Sequence, residues 1–433
     1  MSAYFEIAYA TASHQLCLFT GTGFSKAITK NAAPSWQVLL EKMCEITPKS
    51  TDLKAALFPA AGGSLTLEEA AQVIALELPK SGKDIHQEIA KMIDAIKLDG
   101  DNTAISNFFK GNSLRVVTTN YDKLAEELAD PKECQSITPG MPIPRSQSKV
   151  KVYHVHGSTA SPKNMVVTSD DYFQFINTES YFSRKLSTLL HENTVVILGY
   201  SLGDTNLKAI INDYKKFSRD QVISSNIFFV SKSKIDQHIK DYYAHCYGMR
   251  VLDETEIHTF FRHVAAEMPA ALGCASVTVE NINQVLFNNK VYTENYLKVE
   301  SSFFKIVASV GAIGRSINDA LVVTALEQVI RKKIELTSEN GAWLQYEHLA
   351  QWLIYLGSIL ELNGTSIKDT YLEAVLRSMN SMSKEQALGY SWHAYKAWSR
   401  KWSEVIATNR ALIKTHIEKN STDPDALEVV ARG

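Results

Sequence analysis

Four short segments, far apart in the chain, constrain its fold and function most. They are LFTGTGFS ending at Ser25, VVTTNYD ending at Asp122, VYHVHGS ending at Ser158 and VVILGYSLGDTN ending at Asn206. Three of the four consist of an apolar, β-rich run followed at once by a turn of small polar residues, a pattern that predicts a buried parallel strand. Ligands of open α/β sheets bind at the carboxyl edge of such strands, so these turns form the candidate site.

The remaining sequence between these segments predicts alternating strands and helices. Apolar residues recur at helical spacing in residues 3–14, after Pro34 and in residues 62–98. Strands are expected in LCLFT, GNSLRVVTT, VKVYHVHG, NTVVILGY and SNIFFVSKS. This alternation implies βαβ crossovers. The predicted fold class is therefore α/β, with a Rossmann-like, mainly parallel sheet followed by an all-helical C-terminal domain.

The character of the chain changes near residue 275. The stretch SVTVENINQVLF has a β-like composition, whereas from about Glu294 onward nearly every segment has a 3.6-residue period. Because 433 residues exceed one ordinary domain, we expect two, over residues 1–275 and 276–433. Five of the six tryptophans lie in the second, where a tryptophan and leucine stripe is typical of a core or a subunit interface. The residues from Asp423 onward are expected to fray.

Composition narrows the possible partners and compartment. A formal net charge of −2 gives no electrostatic case for direct nucleic-acid binding. Hydrophobic residues make up 45% of the chain, as in an ordinary globular protein, and the N-terminus has no signal or membrane-spanning pattern. Five dispersed cysteines without a CxxC pair argue against a zinc site and a disulfide framework. We therefore expect a cytoplasmic protein with no membrane partner.

The first turn has the composition of a phosphate-binding loop. Gly21 and Gly23 follow the first strand and would let the backbone approach a pyrophosphate, to which Ser25 would donate a hydrogen bond. A dinucleotide fingerprint GxGxxG would need a third glycine where the chain has Lys26. A plain tight turn remains an alternative interpretation.

The second and third turns carry amide, carboxylate and imidazole groups. Asn120 and Asp122 end an apolar run, where such residues often serve only as turn formers, and as site residues they would contact a polar ligand. His154 and His156 alternate on a strand, so both are expected to face the same side, and a lone histidine on a strand is more often part of the core. His156 sits with Gly157 where the strand ends, so we expect His156 at the site and His154 in a structural role.

Taken together in this order, the segments resemble the NAD-binding domain of sirtuins over roughly residues 1–275. The turn after the first strand is similar to the sirtuin motif GAGxS. The second turn, TTNYD, is similar to the sirtuin TQNxD, with threonine in place of glutamine. The HG at His156 matches the sirtuin HG, and GYSLGD is similar to the sirtuin GTSL. The resemblance implies two catalytic residues, with Asn120 holding a water molecule and His156 acting as general base. It further implies that NAD contacts Gly21, Thr22, Gly23, Ser25, Thr119, Asp122, Gly199, Ser201 and Asp204.

One departure from the protein-deacylating sirtuins concerns zinc. Those enzymes carry two CxxC pairs after the catalytic histidine, whereas no cysteine occurs here between His156 and Cys246. The segment VVTSDDYFQF instead resembles the zinc-free, sirtuin-like proteins of bacterial anti-phage defence, for which hydrolysis of NAD to nicotinamide and ADP-ribose is implied. NAD is then the substrate, and no zinc is expected.

The layout of the chain also suggests partners. A sirtuin-like domain with a helical extension of this size resembles the subunit that assembles with a HerA-type hexameric ATPase. We expect a homo-oligomer or such a complex to gate the enzyme, with the helical domain serving oligomerisation or regulation. Two alternatives stay open: a non-catalytic sensor of NAD or ADP-ribose derivatives, and an NAD-dependent protein deacylase.

Overall fold

A computed structural model describes residues 3–60, 63–145, 147–177, 181–201, 227–275, 278–288 and 290–432. Of the predicted site residues, Asp204 lies outside this range. The other ten fall within it, so their placement follows from the strands and helices described next.

The described residues contain one seven-stranded sheet in which every neighbouring pair of strands is parallel. The strands are β1 (Leu16–Thr20), β2 (Leu114–Thr118), β3 (Cys134–Ile137), β4 (Val150–His154), β5 (Thr194–Leu198), β6 (Ile227–Val230) and β7 (Met249–Leu252). Their order across the sheet is β3-β4-β2-β1-β5-β6-β7. The predicted Rossmann-like parallel sheet is therefore confirmed.

Helices flank the sheet and make up the rest of the described fold. Up to residue 275 they are α1 (Ala3–Ala12), α2 (Thr22–Ile28), α3 (Trp36–Glu45), α4 (Ser50–Leu57), α5 (Leu67–Glu77), α6 (Ile85–Asp94), α7 (Thr103–Gly111), α8 (Leu124–Leu128), α9 (Ser169–Asn177), α10 (Tyr181–Glu192), α11 (Gln237–Tyr247) and α12 (Ile257–Ala275). Short 3-10 helices cover Leu78–Ser81, Pro162–Asn164 and Trp402–Glu404.

The C-terminal region is helical, as predicted. Its helices are α13 (Thr278–Asn288), α14 (Glu294–Leu297), α15 (Ser302–Ala312), α16 (Ala320–Leu336), α17 (Trp343–Ile359), α18 (Lys368–Met379), α19 (Trp392–Lys401), α20 (Ala407–Asn420) and α21 (Pro424–Val430). A single large core, built from residues between 282 and 430, holds these helices together. None of the helices in the described ranges has the length and apolar character needed to cross a membrane.

Two sequence-based expectations about this region are wrong. The stretch expected to be β-like forms α13, because Ile282, Val285 and Leu286 recur at helical spacing and pack into the helical core. The residues expected to fray instead form α21. Its N-cap Asp423 accepts hydrogen bonds from two backbone amides, and Val429 and Val430 on its buried side anchor it.

Three elements of the sheet region were not predicted. Strands β3 and β7 lie at the two edges of the sheet and are four residues long, with burial patterns that lack the continuous apolar run of a central strand. The short helix α2 starts directly after β1, although the sequence pattern indicates a helix only after Pro34. Short or half-exposed elements give little periodic signal, which explains the omissions.

The register of the four central strands sets the position of the site. Thr20 at the end of β1 pairs with Thr118 of β2 and Leu198 of β5, and Thr118 pairs with His154 of β4. The four strands therefore end in one row. From β1 the chain builds β2, β3 and β4 on one side, and it then crosses back to place β5 on the other side of β1. The crevice between β1 and β5 is therefore the topological switch point of this sheet.

Candidate functional site

A cavity of about 470 Å³ opens at this carboxyl edge of the sheet. Nine of the eleven predicted site residues line this cavity: Thr22, Gly23, Ser25, Thr119, Asn120, Asp122, His156, Gly199 and Ser201. Gly21 lies beneath the lining, where its amide donates to the Leu198 carbonyl at 2.9 Å. The placement of Asp204 is outside the described residues. The four segments thus meet in one cavity.

Two glycine turns close the floor of the cavity at the switch point. The Gly23 amide donates to the Gly199 carbonyl oxygen at 2.9 Å. A Cβ on Gly23 would lie 2.8 Å from the Gly199 Cα, and a Cβ on Gly199, whose φ is +75°, would lie 2.0 Å from the Phe24 amide nitrogen. Glycine is therefore required because one backbone packs on the other, a reason that the sequence alone does not reveal.

A chain of hydrogen bonds joins the first and second turns. The Asn120 Nδ2 donates to the Ser25 Oγ at 2.8 Å, and this hydroxyl in turn donates to the Asp122 Oδ2 at 2.8 Å. The other oxygen of Asp122 accepts from the Leu124 amide at 3.1 Å. Burial raises the pKa of the Asp122 carboxyl above its usual value, against the effect of these hydrogen bonds. The network fixes the Asn120 amide and leaves its Oδ1 without a donor among the described residues.

His156 occupies a different environment, just beyond the end of β4. Its side chain is 8% exposed, and its ring meets Tyr172 and Phe175 edge to face, with centroid distances of 5.8 and 5.3 Å. No residue that the structure describes forms a hydrogen bond with its ring nitrogens. Burial lowers the pKa of His156 to about 4, so the imidazole is neutral at physiological pH and able to accept a proton.

His154 lies behind the site and does not line the cavity. Its ring is fully buried, with Nε2 at 2.8 Å from the Glu126 Oε1 and Nδ1 at 3.2 Å from the Asn120 carbonyl oxygen. Burial disfavours the charged ring, but the Glu126 carboxylate outweighs burial and raises the pKa of His154. The expectation that the two histidines face the same side is wrong, because β4 ends at His154 and His156 lies in the turn beyond it. The two rings therefore lie in opposite electrostatic settings.

One wall of the cavity is held by residues that sequence reasoning missed. Asp171 accepts hydrogen bonds from the Val167 amide, from the amide and hydroxyl of Thr168, and from His86 Nε2 at 2.9 Å. Although burial acts to raise it, these bonds lower the pKa of Asp171 to about 2. Val166 and Val167 line the cavity, so Asp171 anchors that wall. The acidic pair in TSDDY is the signal in the sequence.

Aromatic side chains that the sequence analysis left without a role complete the lining. The Tyr200 hydroxyl lies 2.5 Å from the Thr119 Oγ1 and its ring covers Gly21. Tyr121 donates to the Val166 carbonyl at 2.5 Å and packs against Trp36. All three aromatic residues line the cavity. They give it apolar surfaces between its polar groups, as expected of a site for a small organic ligand.

Few charged side chains line the cavity. Among the described lining residues, Lys26 contributes an ammonium group and Glu68 and Asp122 contribute carboxyl groups. Within the described ranges, no group of three or more His, Cys, Asp or Glu side chains is arranged to hold a metal ion. Recognition of a ligand here would therefore depend on hydrogen bonds, aromatic surfaces and one lysine.

Comparison with known proteins agrees with this geometry. Residues 114–252 match the family model of the SIR2-like domain. The matched stretch runs from the start of β2 to the end of β7 and includes Asn120, Asp122 and His156. The Gly21–Ser25 turn precedes it, yet the hydrogen bond from Ser25 to Asp122 makes this turn part of the same site.

Two curated proteins are similar to the chain over part of their length. Defense-associated sirtuin 2 of Bacillus subtilis is 24% identical over 261 residues, which is 58% of this chain and 24% of that protein. NAD(+) hydrolase ThsA of Bacillus cereus (strain MSX-D12) is 29% identical over 109 residues, 24% of this chain and 23% of that protein. The matched part of the chain thus spans about a quarter of each relative.

The packed glycine turns that follow β1 and β5 generate a stability prediction. Gly199→Ala should lower the free energy of unfolding by about 3 kcal/mol or more, because a positive φ adds about 1–2 kcal/mol and the backbone overlap adds to it. Gly314→Ala is the matched control, since Gly314 has a φ of +65° but nothing within 4 Å of an added Cβ. Equal losses for the two variants in chemical denaturation would contradict the packing argument.

Proposed function

We propose that the protein is an NAD⁺ hydrolase that cleaves NAD to nicotinamide and ADP-ribose. The observation that carries the proposal is the meeting of Asn120, Asp122, Ser25 and His156 in one cavity at the switch point of a parallel sheet. The name of the relative NAD(+) hydrolase ThsA supports this reaction. The name of the relative Defense-associated sirtuin 2 supports a role in anti-phage defence.

The cavity has the size and groups that such a substrate needs. Its volume of about 470 Å³ is within the usual range for small-molecule sites, about 300–1,000 Å³. We assign the ribose hydroxyls to Asp122, since charge-assisted hydrogen bonds are the strong ones. The pyrophosphate is assigned to the Gly23 and Ser25 turn with Lys26, and the adenosine side to Gly199, Ser201 and Asp204. Thr22, Gly21 and Thr119 support these contacts.

The proposed reaction divides the chemistry between Asn120 and His156. The glycosidic C–N bond breaks with its electron pair leaving on the nicotinamide nitrogen, and an oxocarbenium-like centre develops at the ribose carbon. The Asn120 Oδ1 accepts a hydrogen bond from a water molecule, so that the water oxygen points its lone pair toward that carbon. As the new C–O bond forms, neutral His156 takes the proton that the water loses.

An enzyme that consumes NAD must be restrained in a healthy cell. We propose that residues 1–275 form the catalytic domain, and that the helical residues 276–433 restrain it through a homo-oligomer or a HerA-type ATPase partner. The separate helical core supports a domain of its own. We also assign the protein to the cytoplasm, where its five cysteines would remain free thiols.

Replacement of either proposed catalytic residue tests the reaction. Asn120→Ala and His156→Ala should fold and lose about 10²-fold or more of NAD turnover, because each removes a group that acts on the attacking water. Nicotinamide and ADP-ribose are followed by chromatography, with and without the candidate ATPase. His238→Ala and Asn363→Ala, at exposed positions, are controls that should keep wild-type turnover.

Other results of these assays would contradict the hydrolase mechanism or favour one of the two alternative functions, the sensor or the deacylase. Full turnover in both catalytic variants would contradict the mechanism. Tight binding of NAD or ADP-ribose without turnover in any mixture would favour the sensor. Removal of an acyl group from a lysine peptide, dependent on NAD, would favour the deacylase.

The pH dependence of turnover should reflect the depressed pKa of His156. The neutral ring is the active base, and it persists as the pH falls until the pKa of about 4 is reached. We therefore expect kcat/KM for NAD to be maintained as the pH is lowered from 7 to about 5. Protonation of Asp122, whose pKa is raised, adds to the loss below this plateau. An acid limb near pH 6.5, the ordinary value for histidine, would contradict the buried base.

A further inference from the structure

The buried pair of His154 and Glu126 contacts the Asn120 turn from behind. His154 ends β4 and is 0% exposed, and Glu126 lies on α8, the helix that follows the Asn120 turn. The His154 ring lies between Glu126 and the Asn120 turn, with Nε2 at 2.8 Å from the Glu126 carboxylate and Nδ1 at 3.2 Å from the Asn120 carbonyl oxygen. One imidazole thus connects β4, α8 and the turn that carries the proposed catalytic amide.

The partners of this ring determine its protonation state. A backbone carbonyl and a carboxylate both accept hydrogen bonds, and a neutral imidazole has one N–H to donate. A neutral His154 would therefore place a nitrogen lone pair against an oxygen. The imidazolium donates to both partners, and the Glu126 carboxylate balances its charge inside the protein. The other titratable groups near the pair are Asp122 on the turn and Cys134 on β3.

We propose that the His154 imidazolium is a positioning residue, which holds the Asn120 peptide so that the side-chain amide stays aligned for the attacking water. This inference rests on the proposed function. The Asn120 backbone N–H also donates to the Thr118 Oγ1 at 3.1 Å, so the peptide groups on both sides of the Asn120 Cα are held. His154 itself does not line the cavity and acts through Asn120.

The balance of charges supports the same assignment. The Glu126 carboxylate outweighs the effect of burial and raises the pKa of His154, while His154 lowers the pKa of Glu126 against the effect of burial. The raised pKa favours the imidazolium, which is lost as the pH rises through that pKa. Loss of the second N–H at that point should release the Asn120 carbonyl and produce an alkaline decline in kcat.

Paired replacements separate positioning from simple loss of stability. The double variant His154→Leu with Glu126→Leu removes the donor together with its counter-charge, and kcat for nicotinamide release should fall about ten- to a hundredfold. Its KM for NAD should change by less than about threefold, because Asp122 and the glycine turns remain. Glu126→Gln is the conservative variant. Its amide can donate to the Nε2 of a neutral His154, so the Nδ1–H still reaches Asn120. The variant should therefore keep its kcat, and the alkaline decline in kcat should be absent.

A matched control uses another histidine that contacts an asparagine. The Nε2 of His258 lies 3.1 Å from the Asn102 Oδ1, and neither residue lines the cavity. His258→Leu should leave kcat and KM unchanged. Wild-type kcat in the double variant would overturn the proposal, as would a fall in kcat in which KM rises by the same factor.

A second measurement does not depend on NAD turnover. The ¹⁵N shifts of the His154 ring at pH 7 should show both nitrogens protonated, and in Glu126→Gln one nitrogen should be unprotonated. A neutral ring in the wild type would overturn the positioning proposal. If the wild type released no nicotinamide, the proposed function would fail, whereas the ring shifts and the Asn120 amide signal would still test this contact.

Discussion

The contact between the Gly23 and Gly199 turns is the constraint on which the site depends. Strands β1 and β5 are neighbours with level ends, so the turns that follow them meet directly. Their backbones approach more closely than any side chain would allow, which fixes the direction in which the chain enters α2. This direction carries Ser25 to its position between Asn120 and Asp122. The hydrogen bonds of Asn120 and Asp122 thus depend on the packing of the Gly23 turn against the Gly199 turn.

The site combines two electrostatic environments within a few residues of one strand end. His156 lies among aromatic rings that keep it neutral, whereas His154 lies between a carboxylate and a carbonyl that favour its charged form. A neutral imidazole suits a base that must accept a proton. A charged imidazole suits an anchor that must donate twice. The sequence HVH thus places two imidazoles in opposite electrostatic environments, because burial and partners, rather than residue type, determine protonation.

Much of this arrangement could be predicted from sequence, because the buried strands and their polar turns are continuous local patterns. The central strands, the helical C-terminal region and the turns that line the cavity follow from such patterns. Contacts between distant segments could not be predicted. The packing of Gly23 on Gly199, the reach of Glu126 to His154 and the anchoring of the wall by Asp171 depend on register and crossover geometry. The edge strands β3 and β7 and the helix α13 were missed or misassigned, since short or mixed segments take their structure from their neighbours.

The most direct test of this account is an experimental structure of the His156→Ala variant with bound NAD. We expect NAD to lie in the cavity between the β1 and β5 turns, with its nicotinamide ribose beside Asn120 and Asp122 and its pyrophosphate at the Gly23 turn. Binding of NAD elsewhere, or with the nicotinamide ribose directed away from Asn120, would contradict the central claim that the four strand ends form one NAD-cleaving site.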